Sequence, residues 1–250
     1  TFAFQVGNLG VVYKINVSIL MPNGDSLSDS ISSTVSDFDL SWNASSQAPA
    51  EYKGKLLPTQ NSTVHVSALP FIYQPGTKTP VASNNLIFNW TKDDKFSAGN
   101  SGIGKSGLIF VANNYAGASK SIRLEIKTSD GAVSILKTVE IPVVRPQTLI
   151  YLVDVKTNFP FGAALKNLTA KPMNLNFAAR NYFFNALPKN LNWQWLVDNQ
   201  EVAGGSSEPW LASFNIPNTG RAFFTQIQAT AKNPVNDLET AQSTINLEVQ

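Results

Sequence analysis

This sequence predicts an all-β protein built of repeated β-sandwiches, and three observations predict it. Apolar and polar residues alternate along many short runs, and no long stretch carries apolar residues at helical spacing. Turn dipeptides such as Asn23-Gly24 and Asp130-Gly131 separate those runs, because both positions of a tight hairpin tolerate positive φ there. A strand, short turn, long strand and hairpin turn recur three times. The period is about 105 residues, close to the ~100 of an immunoglobulin-type sandwich.

The unit is clearest at Leu108–Val133. Thr1–Ser26 lies over it without a gap, pairing Phe2 with Ile109, Phe4 with Val111, Ile15 with Ile122, Val17 with Leu124 and Ile19 with Ile126. Trp210–Pro234 is a looser third copy with Gly220 at the turn. Upstream of the unit, Asn85–Phe96 resembles Asn190–Val202, so Trp90 and Trp195 take the same place in an alternating strand. The expected architecture is tandem immunoglobulin-like sandwiches, two complete plus an N-terminal partial one. Residues 1–40 form the trailing half of a domain, and 41–145 and 146–250 form whole domains. No tryptophan strand precedes the first copy.

In order, Phe2–Val6 and Val11–Met21 read as two paired strands, and the serine-rich Ser26–Asp37 closes that domain. Asn43–Lys55 lacks periodicity and reads as a crossing, packed down by Tyr52 and Leu56-Leu57-Pro58. Thr63–Tyr73 alternates strongly, with Pro70 expected to bend it. Leu86–Trp90 is the central strand. Asp93–Gly107 is a polar, glycine-rich loop or edge, and Ile135–Val144 closes the domain. After the short junction at Arg145-Pro146, strands are expected at Thr148–Val155, Asn174–Phe184, Leu191–Val197, Trp210–Ile216, Arg221–Lys232 and Thr240–Val249.

Composition narrows the function. Charged residues make up 14%, against a usual ~25%, and the net charge is +2 with lysines scattered. That gives no electrostatic case for nucleic acid or an anionic membrane. With no cysteine there is no disulfide framework, cysteine nucleophile or thiolate zinc site. No apolar run is long enough to insert in a bilayer as a helix.

Few residues suggest chemistry. His65 is the only histidine and points opposite Val64 and Val66, an outward strand position without triad or zinc partners. Asp93, Asp94 and Asp198 follow the tryptophan strands, where local turn hydrogen bonding outweighs acid–base or calcium chemistry. Gly99–Gly107 contains Gly104-Lys105-Ser106, but no helix follows, so a phosphate loop is rejected. Sequons at Asn16, Asn43, Asn61, Asn89 and Asn167 are what so Asn- and Ser/Thr-rich a chain produces by chance. Trp90 and Trp195, with Ile122 and Leu124, read as structural core rather than a sugar platform. No catalytic, cofactor or metal residue is assigned. Phe2, Phe4, Ile15, Val17 and Ile19 form an apolar face without an opposing sheet, the candidate assembly face. Two readings of it stay open: a truncated domain, or strands supplied by another subunit.

Asp39–Pro70, Asn85–Lys95 and Ser101–Phe110 resemble one uncharacterised group, the multi-domain Ig-like or PKD-like surface proteins of candidate-phyla-radiation (Patescibacteria) bacteria. The shared pattern is a Trp strand followed by Tyr-Lys-Gly-Lys, Leu-Pro and an alternating strand. The resemblance implies an extracellular or envelope protein and carries no catalytic residues. The expectation is a non-enzymatic surface or filament subunit that associates with itself or another envelope protein. The alternatives are a ligand- or glycan-binding adhesin, or an accessory module of a larger secreted enzyme.

Overall fold

A computed structural model describes residues 5–250. The chain opens with a hairpin of β1 (Val12–Leu20) and β2 (Ser26–Thr34). There follow β3 (Asp37–Ala44), β4 (Thr63–Phe71), β5 (Leu86–Lys92), β6 (Lys95–Phe96), β7 (Gly102–Ile103), β8 (Gly107–Val111), β9 (Ser119–Thr128) and β10 (Ser134–Pro142). The remaining strands are β11 (Gln147–Leu152), β12 (Asn167–Ala170), β13 (Asn174–Tyr182), β14 (Asn192–Val197), β15 (Gln200–Val202), β16 (Leu211–Asn215), β17 (Phe223–Lys232) and β18 (Thr240–Val249). Three short 3-10 turns are the only helical pieces among the described residues.

The sheets give two sandwiches and a hairpin. One sandwich has sheets β3-β4-β8 and β10-β9-β5-β6, with β7 added to β5. The other has β11-β13-β16 and β12-β18-β17-β14-β15. β1 and β2 form a sheet of their own. This is an all-β fold of tandem immunoglobulin-like sandwiches. By contacts the chain divides into two compact units. One holds Thr1–Trp42, His65–Phe110 and Lys120–Ile141; the other holds Asn43–Val64, Val111–Ser119 and Pro142–Gln250.

The two tryptophan strands are built alike. Each follows a 3-10 turn, Ser83–Asn85 or Pro188–Asn190. Each tryptophan is buried and its indole N–H is satisfied: Trp90 Nε1 donates to Lys105 O at 2.9 Å, and Trp195 Nε1 to Pro209 O at 3.0 Å. Burial of an aromatic this large without an orphaned N–H is what lets it anchor a core. Trp90 lies opposite Leu124 on β9, and Trp195 opposite Ala229 on β17. Around Trp195 pack Ile150, Phe177, Ile227, Ile245 and Leu247, all essentially inaccessible.

Both strands then reverse through two-residue turns whose central residues have positive φ: Asp93 and Asp94 at 47° and 58°, Asp198 and Asn199 at 49° and 66°. Asp and Asn tolerate this conformation, and such turns match the strand twist. Each carboxylate also reaches the next strand. Asp93 Oδ1 accepts from Ser121 N at 3.2 Å and Asp198 Oδ1 from Gln226 N at 2.8 Å. Asp93 further holds the buried Lys120 Nζ at 2.7 Å, where the later copy has Thr225 Oγ1 on Asp198 at 2.8 Å. These aspartates are structural turn residues.

Several expectations need correction. β1 pairs with β2 along its whole length, not with the strand read at Phe2–Val6; residues 5–7 carry no strand, and Phe2 and Phe4 lie outside the described residues. The corresponding β8 and β9 belong to different sheets, because residues 112–118 cross the sandwich rather than turning back in one sheet. β12 was not foreseen: it is only four residues long and runs parallel to β18. Residues 93–107, read as a loop or edge, hold the short strands β6 and β7, and β4 runs to Phe71 with Pro70 inside it.

Truncating Trp195 to Ala is expected to cost about 3–5 kcal/mol of stability in chemical denaturation, since the site cannot collapse around so large a void. Phe224→Ala, at an exposed position of β17, should change it by less than about 0.5 kcal/mol.

Candidate functional site

The candidate site is the apolar face of the β1–β2 hairpin. Antiparallel register sets Ile15 opposite Ile31, Val17 opposite Asp29 and Ile19 opposite Leu27. Alternation puts these six side chains on one face. The other face carries Asn16 opposite Ser30 and Ser18 opposite Ser28. One side is therefore polar throughout these pairs, and the other carries five apolar side chains with Asp29 as its single charge.

Backbone hydrogen bonds identify this hairpin as a copy of β9–β10. Gly10 N donates to Val35 O at 2.9 Å, as Gly117 N does to Val143 O at 2.8 Å. Val35 N returns to Val11 O at 3.0 Å, as Val143 N does to Ala118 O at 2.9 Å. Val11 N closes on Asn8 O and Ala118 N on Tyr115 O, both at 3.2 Å. Gly10 and Gly117 adopt φ of 77° and 93°, a conformation that costs a side chain but not glycine.

The two copies differ in what covers them. Ile122, Leu124 and Ile126 are each 0% exposed, whereas Ile15, Val17 and Ile19 are 37%, 55% and 60% exposed. Across the hairpin, Leu27 and Ile31 are also exposed. Completing burial of side chains in this state is worth roughly 1–2 kcal/mol each. Contiguous apolar surface of this kind on a strand pair with an open edge marks an interaction site or an aggregation liability.

The hairpin base is fixed from its polar side. Thr34 Oγ1 donates to Thr77 O at 2.8 Å, and Ser36 Oγ accepts from Tyr73 N at 3.0 Å. A Cβ at Gly76 would lie 2.7 Å from Ser32 Cβ, so only glycine lets this loop approach β2. None of these contacts covers the apolar face.

A second constellation escaped the sequence reading. Within the unit that holds residues 142–250, the carboxylate of Glu239 is buried among neutral donors. Thr59 Oγ1 donates to Oε1 at 2.9 Å, Asn185 N to both oxygens at 3.1 Å, and Asn233 Nδ2 to Oε2 at 2.7 Å. The Asn185 side-chain amide also donates to Glu239. Ser62 Oγ donates to Asn185 Oδ1 at 2.7 Å. The crossing at Asn43–Lys55 is held as its Tyr52 suggested: Gln47 bridges Phe184, and the Tyr52 ring meets Tyr182 and Phe183 edge-on at 5.7 and 5.6 Å. The arrangement is structural, since every acceptor position of the carboxylate is taken up by the fold.

Other singled-out residues stay apart. His65 is exposed on β4. No group of three His, Cys, Asp or Glu among the described residues could hold a metal. Lys105 Nζ donates to Gly99 O at 2.9 Å, and that loop leads into a strand. All five tryptophans are buried or half-buried. No described helix is long and apolar enough to cross a membrane.

No family model and no curated protein matches the chain. Solved structures do. The fibronectin(III)-like modules of Clostridium thermocellum CbhA are 13% identical, covering 81% of this chain and 92% of theirs, at a TM-score of 0.26. Three N-terminal domains of the bacteriophage RB49 Highly Immunogenic Outer Capsid protein are 10% identical, covering 86% of this chain and 59% of theirs, at 0.42. The N-terminal four Ig domains of Dscam1 isoform 8.4 are 12% identical, covering 93% and 60%, at 0.28. At such identities the likeness concerns the fold alone.

Glu239→Ala would leave the Asn185 and Asn233 donors buried and unpaired, and is expected to cost about 2–4 kcal/mol in urea unfolding. Asp237→Ala, which removes only the exposed ion pair with Lys232, should cost no more than about 1 kcal/mol.

Proposed function

We propose that this chain is a non-enzymatic structural module of the cell envelope or extracellular space, a unit of a surface filament or appendage built of immunoglobulin-like sandwiches. It joins a neighbouring polypeptide through the apolar face of the β1–β2 hairpin. One observation carries this reading: a hairpin built like β9–β10 presents Ile15, Val17 and Ile19 to solvent where its counterpart buries Ile122, Leu124 and Ile126. Envelope location and filament assembly are parts of the proposal, and stiff sandwiches that present a joining face fit both.

Sedimentation velocity over a wide concentration range tests it. The chain should associate as its concentration rises, and Val17→Lys with Ile19→Lys should abolish association without moving the thermal transition of the sandwiches. A protein that stays monomeric throughout, or whose association ignores the double substitution, contradicts the proposal.

A second reading, a ligand-binding adhesin, has one observation in its favour. A groove of about 680 Å³ in the same unit as Glu239 is lined by Tyr115, Arg145, Gln147, Thr148 and Gln242. Thr148 Oγ1 and Asn181 Nδ2, opposite one another on β11 and β13, are buried without hydrogen bonds. Hydroxyl-rich saccharides suit such a polar lining, in which an arginine and an aromatic ring stand beside amides and hydroxyls. A glycan array probed with the chain should then give signals that Tyr115→Ala weakens; an array without signal dismisses this reading.

A further inference from the structure

We propose that the free edge of β1 accepts a tryptophan-bearing strand from another polypeptide, the leading half of an immunoglobulin-like sandwich. This rests on the joining face proposed above and names its occupant.

The chain itself supplies the template. β9 has β10 on one side and the tryptophan strand β5 on the other. β17 likewise lies between β18 and the tryptophan strand β14. β1 has β2 on one side and no strand on the other among the described residues. The vacant position is therefore that of a Trp90- or Trp195-type strand, running antiparallel to β1.

Register follows from the same comparison. β5 sets Phe88 opposite Ile126, Trp90 opposite Leu124 and Lys92 opposite Ile122. β14 sets Trp195 opposite Ala229 and Val197 opposite Ile227. Val17 corresponds to Leu124, so the incoming tryptophan sits opposite Val17, with an apolar residue opposite Ile19. Main-chain bonds along the edge provide affinity, and alternate side chains entering the core fix the register. The second sheet of the incoming half would then cover Ile15, Val17 and Ile19, as β3-β4-β8 stands over the β9 sheet.

A second copy of this chain can cover the face with its own hairpin, which is the association sedimentation reads, but it cannot supply the missing strand. Its own tryptophan strands are flanked on both sides, β5 by β9 and β6, and β14 by β17 and β15. It could offer only its own hairpin face.

The test uses the whole 250-residue chain and a synthetic peptide with the sequence NLIFNWTKDDK, the Asn85–Lys95 strand. Expected are saturable binding of one peptide per chain and slowed hydrogen exchange of the β1 amides that point away from β2. Val17→Lys in the chain, or Ala in place of the peptide's tryptophan, should each weaken binding roughly tenfold or more. No saturable binding, equal binding of the Ala peptide, or protection mapped to another strand overturns strand addition. If the chain associates through the hairpin face, but the peptide neither binds nor competes, the joining face stands with a second copy as occupant and strand addition falls. If the chain is monomeric and ignores the peptide, both fall.

Discussion

Each sandwich rests on one contact, a tryptophan strand laid against an alternating apolar strand. Trp90 against Leu124 and Trp195 against Ala229 fill the centre, and each indole N–H finds a carbonyl from the following segment. That carbonyl bond fixes where the polar segment after the hairpin must return. The Asp turn then ties the strand end to its neighbour through Ser121 or Gln226. Among the described residues the first hairpin has the alternating strand with no tryptophan strand beside it, and its apolar side chains stand exposed there.

Much of this was legible because it is local. Alternation in Thr63–Ala68 and Thr240–Val249, the Asp turns and the position of the tryptophans all follow from short-range pattern. Alternation alone does not separate the hairpin face from its counterpart, since Ile15, Val17 and Ile19 alternate just as Ile122, Leu124 and Ile126 do; what made it legible as lacking an opposing sheet was the comparison of the copies. Cover is a long-range property. β12 was invisible because four residues, Asn-Leu-Thr-Ala, are too short an alternation to stand out, and its partner lies far along the chain. Glu239 was invisible for the same reason: its donors come from Thr59, Asn185 and Asn233, and a carboxylate in a turn ordinarily points to water.

The copies also show where the fold tolerates divergence. The part-buried Lys120–Asp93 pair and the exposed Thr225–Asp198 pair occupy one place with different chemistry. A buried ion pair gains little over a neutral hydrogen bond once desolvation is counted, so either solution serves. What both keep is the aspartate and its backbone acceptor role, which set the turn.

The parallel pairing of β12 with β18 has a mechanical consequence. β18 ends the last sandwich at Val249, and β12 lies near its beginning, register running from Asn167 opposite Asn246 to Ala170 opposite Val249. Tension applied between the start of that sandwich and Gln250 pulls these two strands past one another. Their hydrogen bonds then bear load together rather than opening one at a time, as a hairpin pulled from its open end would. A strand of four residues thus becomes a shear clamp across the sandwich.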